Sequence, residues 1–166
     1  MTQGVNPNDI FHNGVWYNRS GVTVANEQDD QSLWTAAATM VNGTTIFTIA
    51  GGPIEILQLG AVCITGNNAT ASTLQYSADG TDGSATTITG ASASLANKAA
   101  GTIVAAVPGT LATAAAVYDN GVGIGATVPI VVPAGVITTV IGVGSTTGTW
   151  RHFLRYRPLT SGVTVS

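Results

Sequence analysis

Three of the five basic residues in this chain, Arg151, Arg155 and Arg157, lie together in one short segment, TWRHFLRYRPLTSG at 149–162. A guanidinium is a planar fork of donors that suits paired carboxylates and stacks on aromatic rings. Side chains alternate along a strand, so Arg151, Phe153, Arg155 and Arg157 point one way, and Trp150, His152, Leu154 and Tyr156 the other. The second set suits a core. The first is an arginine ladder around an aromatic ring, a composition enriched at binding surfaces. Like charges this close repel, so acidic partners are expected. The acidic residues before position 31, Asp29 and Asp30 among them, are candidates within a subunit or from a neighbouring one.

Other chemistry is sparse. A hydrolytic site needs a nucleophile, a base and an orienting acid. The chain has only His12 and His152, with no G-x-S-x-G motif, and His152 reads as a packed side chain. One cysteine and two separated histidines do not supply a zinc set. Asp79 and Asp82 in SADGTDGSA sit in a Gly-rich turn but lack the further carboxylates of a calcium loop, so a solvated hairpin tip is expected. GVGIGA at 121–126 is followed by a strand-like run rather than a helix, which removes the phosphate-binding mechanism. The triplets NRS, NGT and NAT read as polar loops. No catalytic residue, cofactor or metal is expected.

Such a segment needs a sheet to hold it, and the pattern is β throughout. Thr, Val and Ile runs are punctuated at short intervals by Gly, Asn, Asp and Pro. Strands are expected at 20–24, 43–52, 53–65, 72–80, 85–92, 101–109, within 110–123, twice within 127–145, and at 148–159. In 43–52, Thr45, Phe47 and Ile49 share a face. In 53–65, Ile54, Ile56 and Gln58 oppose Glu55, Leu57 and Leu59. Only 29–41 and 92–100 are helix-compatible, each with room for one or two turns. About eight to ten short strands point to an all-β, antiparallel β-sandwich. Residues 20–166 read as a single sandwich domain. Residues 1–19 read as an extended N-terminal arm, irregular in pattern, with Phe11, Trp16 and Tyr17 as anchors on a neighbouring subunit.

The surface chemistry agrees. The chain is 45% hydrophobic and only 8% charged, against a typical charged share of about 25%. Thr, Ser, Asn and Gly must coat the surface, or partners must cover it, and a homo-oligomer is the first expectation. Residues 1–30 carry four acids against Arg19, while 150–166 carry the three arginines alone. A pI near 5.0 gives little footing for nucleic acid. No apolar run reaches the length of a membrane helix, and no secretion signal is expected at the N-terminus. Cys63, within an apolar run, reads as a buried, inert thiol in a protein folded in a reducing cytoplasm.

The segments IFTIAGGPIEILQLGAVCIT, 46–65, and PIVVPAGVITTVIGVGSTTGTWRHFLRYRPLTSGVTV, 129–165, together resemble a family of small tailed-phage virion proteins. Those proteins share an N-terminal strand pair and a terminal strand ending in a Tyr-Arg-Pro-Leu-like motif. They are similar to head-decoration, or cement, proteins. The resemblance implies a jelly-roll-like sandwich that sits as a trimer on the major capsid protein, on the capsid surface of a virion assembled in the host cytoplasm. It brings no catalytic or cofactor residues. A tail-fibre or spike adhesin binding host glycans is the alternative, with Tyr76, Tyr118, Asp119 and Asn120 as exposed candidates. A glycoside hydrolase would need two opposed carboxylates, and Glu55 is the only acid within an expected strand.

Overall fold

In the computed structural model, the description covers residues 30–81, 83, 85–106, 111–118 and 130–166 (Tyr118 by its backbone alone), and the backbone of 9–12 and 15–18. The strands run β1 (Asp9–His12), β2 (Val15–Asn18), β3 (Gln31–Trp34), β4 (Ala38–Thr39), β5 (Thr45–Ala50), β6 (Ile54–Cys63) and β7 (Thr73–Gly80). They continue through β8 (Ala85–Thr87), β9 (Ile103–Ala105), β10 (Ala116–Tyr118), β11 (Ile130–Val132), β12 (Gly135–Gly142), β13 (Thr149–Pro158) and β14 (Thr164–Val165). No helix occurs among the described residues.

Two antiparallel sheets pack face to face as a β-sandwich. The first is built on two ten-residue strands, β6 and β13, paired along their length. Shorter strands lie in tandem on each outer edge: β3 and β4 along β13, β9 and β11 along β6, with β10 beyond β9. The second sheet runs β14-β5-β12-β7-β8. Phe47, Leu59, Leu74, Ile137, Trp150 and Leu154 are buried between the sheets. Each fully buried side chain of this size contributes about 1.5–3 kcal/mol.

β5 keeps the expected alternation from Phe47 to Ile49, with both of these buried and Thr48 exposed, but Thr45, expected on the Phe47 face, is exposed beside a register shift against β12. β6 departs from it. Arg155 pairs with Gln58 but Tyr156 pairs with Ile56, so Leu57 is an extra residue in a β-bulge. The bulge shifts the side-chain phase by one. Ile54 and Ile56 before it, and Leu59, Ala61 and Cys63 after it, therefore all face the core.

Both helix-compatible segments are non-helical wherever they are described. Residues 31–34 and 38–39 pair with β13 instead. In 92–100 the backbone donors reach out of the segment: Ser92 N–H to Leu74 O, Leu95 N–H to Ser72 O, and Asn97 N–H to Asn68 O. Cross-chain pairing outweighs weak helix propensity in Thr- and Ser-rich stretches. The expected strand at 20–24 lies outside the described residues. The arm is not wholly irregular, since β1 and β2 form an antiparallel hairpin that pairs Ile10 with Tyr17 and Phe11 with Trp16.

The short closing strand β14 was absent from the pattern reading. It follows a tight corner in which Gly51 and Gly162 both have positive φ, +83° and +81°. A Cβ on Gly51 would collide with the Gly162 carbonyl, so the approach of β14 to β5 requires glycine there.

Candidate functional site

β13 alternates as its sequence demands. Trp150, His152, Leu154 and Tyr156 are buried between the sheets, while Arg151, Arg155 and Arg157 are exposed on the outer face of the first sheet. Phe153 belongs to that outer face, yet is only 7% exposed. Its strand neighbours explain why. In register it lies between Trp34 on β3 and Gly60 on β6. The Trp34 and Phe153 rings are 5.2 Å apart, tilted by 41°. On the other side a Cβ at Gly60 would come within 2.6 Å of the Phe153 ring, so the ring occupies space that only a glycine leaves. Cross-strand rows of this kind are how aromatics cover a glycine in a sheet.

The guanidiniums border this row. Arg151 lies over the Trp34 ring, 5.4 Å from its centroid, and its Nε donates to Thr35 O at 2.9 Å. This is cation–π geometry. Arg155 Nη2 reaches Asp30 Oδ2 at 2.9 Å, and Arg157 Nη2 reaches Asp30 Oδ1 at 3.0 Å. Arg157 Nη1 also reaches Glu55 Oε2 at 3.1 Å. One carboxylate thus holds two guanidiniums side by side, and a second braces one of them. The acidic partner expected for the ladder is met inside the subunit.

Three guanidiniums against two carboxylates leave this face at +1 in a chain whose net charge is −3. Among the described residues Arg151 has no carboxylate partner, and Trp34 is 49% exposed. Trp34 was not singled out from the sequence. Its signal was its place in a segment read as helix-compatible, which hid the strand pairing that puts it beside Phe153.

The arrangement offers an exposed face of one indole and three guanidiniums, with no nucleophile on it among the described residues. Among the described residues no group of three or more His, Cys, Asp or Glu could hold a metal ion. Asp79 is exposed on β7, and Asp82 lies outside the described residues. Asp29 also lies outside them. Phe11, Trp16 and Tyr17 are placed by backbone pairing alone, in a hairpin that forms its own two-stranded sheet.

On the inner face His152 is packed, as expected. Its Nδ1 lies 3.0 Å from the Tyr76 hydroxyl, both groups buried. Burial lowers the His152 pKa from 6.5 to about 4 and raises that of Tyr76 well above 10. Tyr76 is therefore not the exposed glycan contact that an adhesin reading expects: it is fully buried on β7. Tyr118 lies on β10 by its backbone, and Asp119 and Asn120 lie outside the described residues. Glu55 is committed to Arg157. Cys63 is buried, with its thiol 3.2 Å from Thr65 O. Among the described residues no helix is long and apolar enough to cross a membrane.

No family model matches this chain, and neither a curated protein nor a solved structure matches it.

Proposed function

We propose that this protein is a structural virion subunit: a decoration, or cement, protein that binds the outer shell of a phage head as a homotrimer and stabilises it without turnover. The observation that carries the reading is the outer face of the first sheet, where exposed Trp34 and Arg151, which has no carboxylate partner among the described residues, stand on a locked aromatic row. Trp and Arg are the residues most enriched where binding energy concentrates. The chain's low charge and the resemblance of 46–65 and 129–165 to small phage virion proteins support the same reading. A subunit of this kind acts by burying area against its neighbours and the major capsid protein, many copies summing weak contacts.

The direct test is sedimentation of the purified protein with phage heads assembled without it. Saturable binding at a high copy number, weakened at least tenfold by Arg151→Glu, is the expected result. Binding to host-cell glycans with none to heads would replace this reading with the adhesin one.

A further inference from the structure

Where the two sheets part beside β4 and the start of β5, a pocket of about 300 Å³ opens between them. Its floor is Met40, Thr139, Trp150 and His152, all buried, and its mouth includes the exposed Ala36 and Ala38. That volume lies at the lower end of the range for small-molecule sites, about 300–1,000 Å³.

The polar groups along the pocket are nearly all committed. Thr139 Oγ1 donates to Val41 O at 3.0 Å, Thr44 Oγ1 to the same carbonyl at 3.0 Å, and Thr35 Oγ1 to Ala36 O at 3.0 Å. At the exposed rim the Thr39 and Thr45 hydroxyls face water, and among the buried polar groups of the pocket His152 is the exception. It is 6% exposed, and its Nδ1 faces Tyr76. The Tyr76 hydroxyl proton has no other acceptor among the described residues, so it is donated to Nδ1, and the neutral imidazole carries its own proton on Nε2. No described group accepts from Nε2. Yet no described buried side-chain nitrogen or oxygen is sealed away without a partner. Nε2–H therefore opens onto free space, and the pocket is the space that His152 lines.

We propose that this pocket binds a small neutral molecule, mostly apolar, whose single hydrogen-bond acceptor, a ketone, ester or amide carbonyl, takes the Nε2–H of His152. Met40, Trp150 and the alanines supply apolar walls. Among the described residues no carboxylate or ammonium group lines the pocket, so a charged ligand would be desolvated without compensation, which selects a neutral one. The site is separate from the arginine face and does not rest on the virion reading.

Cyclohexanone is a suitable probe, titrated into the full chain at pH 7 while the imidazole resonances are followed by NMR, with His12 as internal reference. The expected result is a saturable shift at His152 alone, with cyclohexanecarboxylate binding at least tenfold more weakly. Ala38→Trp and Ala36→Trp, at exposed positions on the mouth, should each remove the shift while leaving the thermal transition in place. No saturable shift at His152 up to the solubility limit of the ketone would overturn the proposal. So would equal binding of the carboxylate, or unchanged binding in both tryptophan variants.

Discussion

The ring of Phe153 fills the place of the side chain that Gly60 lacks. The two residues face each other across β13 and β6, and a Cβ on Gly60 would meet both the Phe153 ring, at 2.6 Å, and the Val104 carbonyl of β9. The aromatic row that carries Trp34 and Arg151 thus depends on a glycine two strands away from the indole.

Gly60→Ala should accordingly destabilise the fold even though alanine is a small, apolar replacement. The backbone carbonyl cannot move aside as a flexible side chain could, so overpacking should cost about 1–3 kcal/mol. Urea unfolding checks this as a lowered midpoint at constant slope. Phe153→Leu combined with Gly60→Ala should recover part of the loss, because one of the two clashing groups is then smaller.

The buried His152 makes stability depend on pH with a definite sign. Its folded pKa is about 4, below the unfolded value of 6.5. Its contribution is thus fully present above pH 6.5, and as pH falls the unfolded chain takes up the proton first. Stability should decline between about pH 6.5 and 4, by up to about 3 kcal/mol from this group. His152→Gln should flatten that part of the stability profile. Tyr76→Phe should cost about 1–3 kcal/mol at neutral pH, because it leaves Nδ1 buried without its donor.

Asp30→Ala removes two ion pairs at once, yet its effect on stability should be small. Arg155 and Arg157 are 49% and 48% exposed, so water competes for both contacts. A loss of no more than about 1 kcal/mol is expected, shrinking further as salt is added. Thermal unfolding at low and high ionic strength measures both.

Much of the fold could be read from residue patterns, and the misses have physical causes. β13 announced itself by strict alternation of Trp150, His152, Leu154 and Tyr156 with the arginines, and its two faces are as that pattern requires. β5 was equally clear. β6 was legible as a strand but not in phase, because a bulge at Leu57 breaks the period of two. The signal was present: Ile54 and Ile56 followed by Leu59, Ala61 and Cys63 put the apolar set on both parities, which one added residue reconciles. Residues 31–39 were misread because local propensity was weighed without the long neighbour, β13, whose open edge they fill. The hairpin of β1 and β2 had a cue in the Asn13-Gly14 dipeptide between the strands.

The candidate site was legible in part for the same reason. The arginine ladder and Phe153 lie on one strand, and spacing alone places them on one face. Asp30, Glu55 and Trp34 join them only through sheet register, which no local pattern in the sequence encodes. The burial of Tyr76 against His152 is likewise a contact between sheets, invisible until the two are stacked.

The most direct test of the proposed homotrimer is the native mass of the purified protein by light scattering, for the wild type and for Arg151→Glu. Arg151 is the informative position, since reversing its charge breaks no ion pair among the described residues. A wild-type mass three times that of the 16.7 kDa chain, falling towards the monomer in the variant, is the predicted result. A monomer in both would contradict it.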